Sequence, residues 1–301
     1  MTDRGWINST AMTRLIDGLV EKCVKDYKID HARAREKFVE KLSSSHKLKS
    51  AAEGETNPDK IARTRAFRDA SADAKREIYY ELRRYSRESE GKETAPLLNL
   101  SPGVDKETLN AAIKETLEGH VSSKERAGQM ESMYAQIFAA AGVPKTILDA
   151  GCGVQPLAYP FDGEGKRTKK YVGLDKDKKA VAALSAYAAI RGDGRLVAKE
   201  WDIANGWNDA LKAAGAEEFD LALLLKVVPV VKRQEPELLN ILADIPAKTI
   251  VVTGSKIGMA KRTSIERREK AIIAKFIETS GWTVIAPIEL DEETGWVARR
   301  G

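Results

Sequence analysis

Apolar residues between Thr10 and Tyr27 recur at every fourth position, Leu15, Leu19, Cys23 and Tyr27, flanked by Ile16, Val20 and Val24. That spacing predicts an amphipathic helix with one buried stripe. A second, charged helix is expected over residues 31–42. Ser43-Ser44-Ser45 and the stretch 52–58, with Gly54 and Pro58, then interrupt the pattern before a third helix over 58–87. A polar stretch punctuated by Pro and Gly fills 88–102, and 105–117 reads as a short helix.

From Pro144 the pattern changes. Short apolar runs alternate with helical stretches, as repeated βα units around a mostly parallel sheet require. Seven strands are expected, at 146–150, 171–175, 195–201, 219–225, 249–253, 282–287 and 295–299. The fold class is therefore α/β, a Rossmann-like domain with a mostly parallel seven-stranded sheet, preceded by an all-helical N-terminal domain. Two domains are expected in a chain of 301 residues, 1–118 and 119–301, because single cores seldom grow that large.

Composition narrows the possibilities. No uninterrupted apolar run approaches the roughly 18 residues of a membrane-spanning helix, so no membrane partner is expected. Two cysteines, Cys23 and Cys152, do not make a disulfide framework, and a polar start without a secretory signal suits a reducing cytoplasm. His31, His46 and His120 lack metal-ligand spacing, so no metal is expected. The net charge is only +5, yet residues 1–87 hold 20 Lys and Arg against 14 Asp and Glu. That local excess is larger than the whole chain's, and it marks the N-terminal helices as a phosphate-docking surface, with a solvated helical face as the alternative. Arg63, Arg68, Lys75, Arg83, Arg84 and Arg87 are the candidates there. Lys256, Lys261 and Arg262, with Arg267 and Arg268, form a second basic cluster.

The chemistry concentrates at strand ends. Strand one runs into Asp149-Ala-Gly151-Cys-Gly153, where two missing side chains let the backbone approach a ligand. A dinucleotide loop would have a third glycine and a helix start. Here Val154-Gln155-Pro156 follows and Asp149 precedes, and a carboxylate there suits an amino-acid ammonium better than a diphosphate. Strand two ends in Asp175, placed to accept from both ribose hydroxyls. Strand three ends in Trp201-Asp202-Ile203, an acid for an adenine amino group and an apolar cover for the ring. Together these predict S-adenosyl-L-methionine as cofactor. Cys152 reads as a small apolar filler.

Across about 119–237 the residues resemble the aminoglycoside-resistance methyltransferases that modify a decoding-site guanine of 16S ribosomal RNA at N(7). The matches are the His120-Val-Ser-Ser-Lys-Glu-Arg126 segment, Tyr134 with Ile137-Phe138, the 149–156 loop, and Leu223-Leu-Leu225-Lys226-Val-Val-Pro229 with Gln234. The resemblance implies that Arg126 holds the cofactor carboxylate, and that Leu225 and Gln234 belong to the same pocket. It implies as partner the 30S subunit with its 16S rRNA, a monomer, and aminoglycoside resistance. The chain departs from the family pattern at Val252–Met259 and in its last residues.

Methyl transfer needs alignment and exclusion of water more than a nucleophile. Guanine N(7) presents a lone pair and sheds no proton, so no general base is required. No catalytic residue is assigned; Lys226 is the one candidate, either touching RNA or laying its stem along the sheet edge. Trp207, Trp282 and Trp296 are candidate stacking partners for an unstacked base, with core packing the simpler reading of Trp282. The alternatives are methylation of another RNA position or of a small molecule, and a non-catalytic RNA-binding module.

Overall fold

A computed structural model describes residues 5–27, 30–90, 95–120, 123, 124, 126, 128–258 and 264–300, without the side chains of 26, 27, 76, 79–90 and 95. The chain divides into two compact units, Met1–Ser89 and Glu90–Gly301. The expected division after 118 moves upstream. A short helix α6 (Ala95–Leu98) and α7 (Lys106–Gly119) bury Leu97, Ala112 and their neighbours in the core of the sheet unit. No helix among the described residues is long and apolar enough to cross a membrane.

The N-terminal unit holds α1 (Thr10–Tyr27), α2 (His31–Ser43), α3 (His46–Ala52), α4 (Pro58–Arg63) and α5 (Arg65–Glu90). The stripe on α1 centres on Met12, Ile16, Val20 and Cys23, which are fully buried, while Leu15 and Leu19 flank it. Facing it are Phe38, Leu42, Leu48, Ile61, Phe67 and Ile78. The single rod expected over 58–87 is two helices. Thr64 Oγ1 donates to the Ile61 carbonyl at 2.7 Å and accepts the Phe67 N–H at 3.1 Å, ending one helix and capping the next.

In the second unit the remaining elements are α8 (Met130–Ala141), β1 (Thr146–Ala150), β2 (Lys170–Asp175), α9 (Lys178–Arg191), β3 (Leu196–Glu200), α10 (Asn208–Ala214), β4 (Phe219–Leu225), α11 (Val227–Gln234), α12 (Leu239–Ala243), β5 (Ala247–Ser255), α13 (Glu266–Thr279), β6 (Trp282–Glu289) and β7 (Glu293–Arg300). They build one seven-stranded sheet in the order β3-β2-β1-β4-β5-β7-β6. The first five strands are parallel and β7 runs antiparallel between β5 and β6.

Alternation along the strands sends side chains to opposite faces. Leu221, Leu223, Leu225 and Val251 enter one core with α7, α8 and α9. Leu148, Ala222, Leu224, Ile250 and Val252 enter the other with α10, α11, α12 and α13. Both faces are thus covered, which is why the strands read as nearly continuous apolar runs. At Gly295 a Cβ would overlap the Val252 carbonyl, so only glycine lets β7 close on β5.

Candidate active site

The site forms where the parallel strands end. β1 delivers Asp149 to that edge, and the chain then passes through Gly151 and Gly153 at φ 69° and 51°, left-handed conformations that a Cβ resists. A Cβ on Gly151 would stand 2.9 Å from Val227 Cγ2, and one on Gly153 2.8 Å from His120 Cε1. The N–H groups of Gly151 and Cys152 both donate to the Leu174 carbonyl, at 2.8 and 3.1 Å, tying the loop to the end of β2. Cys152 is buried with its sulfur against Gly173.

Asp175 closes β2. Its Oδ2 accepts the Gly153 N–H at 2.7 Å and its Oδ1 accepts the Asp177 N–H at 2.9 Å. The backbone thereby orients the carboxylate beside the glycine loop. Asp202 lies just beyond β3 and is exposed; it accepts the Ala204 N–H at 2.9 Å and caps a single 3-10 turn that starts at the half-buried Ile203.

Behind the loop lies a buried polar network. Asp149, 1% exposed, accepts a hydrogen bond from the Tyr171 hydroxyl at 2.7 Å. Burial pushes its carboxyl up to about 7, against the opposing pull of Tyr171 and Arg126. Gln155 joins Tyr134 Oη at 3.2 Å to Arg126, whose Nη1 donates to Gln155 Oε1 at 2.9 Å. Arg126 also donates through Nε and Nη2 to Glu293, at 2.8 and 3.2 Å. Burial opposes the Glu293 charge, but Arg126 and Lys226 beside it hold its carboxyl below the ordinary range. Burial likewise opposes the Arg126 charge, and Glu293 overrides it.

Lys226 follows β4 with φ 66°, the one described non-glycine residue in the left-handed region, a strain that clusters at functional sites. Its N–H donates to Thr253 O and Oγ1, at 3.2 and 3.1 Å, and its Nζ stands 3.4 Å from Glu293. At 14% exposure the ammonium is drawn toward that carboxylate.

The edge thus brings together Arg126, Asp149, Gly151, Gly153, Gln155, Asp175, Leu225 and Lys226, with Asp202 and Ile203 at the tip of β3. Gln234 is not brought in; it lies exposed at the far end of α11, about 11 Å along the helix from its start. Lys256 is committed to Glu289 and the Leu290 carbonyl, at 2.8 and 2.7 Å, and braces the β6–β7 turn instead of standing open to phosphate. Lys261 and Arg262 lie outside the described residues, as do the side chains of Arg83, Arg84 and Arg87. Arg63 and Arg68 are exposed and Lys75 half-buried on α4 and α5.

Trp207 is a core residue. It is 8% exposed, stacked on Trp201 at 4.9 Å, with its indole N–H donating to the Ile241 carbonyl. Trp282 is buried under Arg300, and the half-buried Trp296 packs on the same core.

Sequence reasoning missed Glu293, Thr253 and Tyr171. The visible signal was an acid, Glu293, opening an apolar run after Asp291-Glu292, a pattern that reads equally as a turn.

A buried carboxyl poised near neutrality, a buried guanidinium that gives three of its five N–H donors to partners among the described residues and a strand-tip acid make a donor set that suits an amino-acid tail joined to a nucleoside. S-adenosylmethionine has that composition.

Residues 92–294 match the family model described as ribosomal RNA methyltransferase (FmrO). A 16S rRNA (guanine(1405)-N(7))-methyltransferase of Proteus mirabilis is 28% identical over 181 residues, 55% of this chain and 61% of that protein. One from Micromonospora echinospora is 32% identical over 130 residues, 43% of this chain and 44% of that protein. The match thus covers less than two thirds of these relatives' length. Among solved structures, the 16S rRNA methyltransferase RmtF in complex with S-adenosyl-L-homocysteine is similar over 100% of both chains, at 19% identity and a TM-score of 0.56, which is a likeness of fold.

Proposed function

Because the chain belongs to the ribosomal RNA methyltransferase (FmrO) family, we propose that it is an S-adenosylmethionine-dependent methyltransferase acting on a decoding-site guanine N(7) of 16S rRNA in the assembled 30S subunit. The observation that carries the reading is the strand-edge constellation of Asp149, Asp175 and Arg126 around the left-handed glycines.

In this reading Asp149 takes the cofactor's ammonium and Arg126, steadied by Gln155, its carboxylate. Asp175 accepts from the ribose hydroxyls, Asp202 accepts from the adenine amino group, and Ile203 and Leu225 line the ring. The sulfonium supplies an electrophilic methyl group when bound. What remains for the protein is alignment of the guanine lone pair and exclusion of water. Exposed Arg63 and Arg68, with Lys75, suit phosphate contacts that position without reading sequence. The 16S rRNA (guanine(1405)-N(7))-methyltransferase activity of the relatives supports 16S rRNA as the substrate; the 30S subunit as partner and aminoglycoside resistance as the consequence are part of the proposal. A soluble cytoplasmic monomer fits this role.

The test is transfer of labelled methyl from S-adenosylmethionine to 30S subunits, naked 16S rRNA and 50S subunits, with mapping by cleavage at N(7)-methylguanine. Incorporation at one decoding-site guanine of 30S is expected. Incorporation elsewhere keeps the reaction and discards the site; none on any RNA moves the reading to a small-molecule acceptor.

A further inference from the structure

Glu293 opens β7 opposite Ser255 of β5. Because β7 runs against the parallel strands, its first residue reaches the edge where they end. There its side chain is 2% exposed and takes three partners. Arg126 Nε and Nη2 donate side-on to its two oxygens, the Thr253 hydroxyl donates to Oε1, and Lys226 Nζ lies 3.4 Å from Oε2.

A guanidinium carries five N–H donors in one rigid plane. Two go to Glu293 and one to Gln155 among the described residues, so two remain, on Nη1 and Nη2. Which way those two point is decided by how the opposite side of the fork is held. The same carboxylate holds Lys226, whose backbone is already fixed to Thr253.

We propose that Glu293 is a positioning residue of the transfer site, turning the remaining Arg126 donors toward the carboxylate of the cofactor's amino-acid tail and anchoring the Lys226 ammonium beside it. The inference rests on the cofactor assigned above. An amide cannot replace the carboxylate, since it leaves the buried Arg126 and the half-buried Lys226 cations facing a neutral group. A shorter acid cannot span both partners from the same backbone position.

Calorimetry of the full chain with S-adenosylhomocysteine tests it, with melting temperatures recorded alongside. Glu293→Gln should weaken binding about tenfold, the scale of one charge-assisted contact, and Glu293→Asp should fall between it and wild type. The double variant Glu293→Gln/Arg126→Lys should bind no more weakly than Arg126→Lys alone, because the carboxylate acts through the guanidinium. In side-chain nitrogen NMR the Arg126 Nε–H should be protected from exchange in wild type and lose that protection in Glu293→Gln.

At saturating cofactor, kcat on 30S subunits should also drop in Glu293→Gln; an unchanged kcat overturns the Lys226 anchor. Binding by Glu293→Gln within about twofold of wild type, or losses that multiply in the double variant, overturns the positioning role even if the melting temperature falls. Should Glu293→Gln fail to fold, Glu293→Asp carries the same binding and NMR readouts. A wild-type chain that does not bind S-adenosylhomocysteine overturns the cofactor reading together with this one, whereas wild-type binding left intact in both Glu293 variants overturns this one alone.

Discussion

Asp149 sits where two demands on a carboxyl group oppose each other. Burial raises its pKa to about 7, so between about pH 4, the ordinary carboxyl value, and about 7 the native state binds more protons here than the unfolded chain does. Stability contributed by this group therefore falls as pH rises through that window and levels off above it. An ammonium ligand asks for the opposite: only the ionised carboxylate attracts it, so S-adenosylhomocysteine affinity should rise as pH passes about 7. Calorimetric Kd and melting curves across this range in wild type and Asp149→Asn read both, and the variant should flatten both curves. An affinity that ignores pH in wild type would detach Asp149 from the ammonium. Asp149 and Asp175 were legible in the sequence because each closes an apolar run. Glu293 was not: it stands 167 residues from Arg126, and only the reversal of β7 brings the two together. Tyr171 reads as a core aromatic inside a strand, and nothing in its neighbours announces the hydroxyl it donates to Asp149.

At the level of elements, legibility followed burial. β1, β2, β4 and β5 are covered on both faces, so their sequences are apolar runs that no helix pattern imitates. The break at Thr64 shows only as a change of phase. Phe67, Ala74 and Ile78 share one helical face, whereas Ile61, which enters the same core, is about 120° away from it at 3.6 residues per turn, and one isolated apolar residue among charged neighbours is too weak a signal to place the break. What divides the helices is one hydroxyl that donates backward to Ile61 and accepts forward from Phe67. Thr64→Ala removes both bonds and should cost about 1 kcal/mol, the usual value of a lost N-cap. A lower urea midpoint with an unchanged m-value reports that cost. Cofactor affinity should stay at the wild-type value, since every residue of the proposed pocket belongs to the other unit.

The whole molecule carries separate cores, one confined to Trp6–Ile78 and two flanking the sheet from Leu97 onward. Separate burial means separate stability, because each unit removes its own apolar surface from water. A fragment of residues 90–301 should therefore fold cooperatively and bind S-adenosylhomocysteine with the affinity of the full chain. RNA affinity should divide differently. Docking through Lys and Arg releases counterions from phosphate, so its logarithm falls with the logarithm of salt in proportion to the phosphates neutralised. Arg63 and Arg68 are both exposed; changing both to Ala should lower the slope for 30S binding by about 1.5, somewhat under one unit per phosphate. The fragment should lose most of the slope. If it binds 30S subunits with the full chain's affinity and salt dependence, the phosphate contacts belong to the sheet unit, where Arg233 and Arg267 are exposed, and the N-terminal helices lose their proposed role while the cofactor site keeps its own.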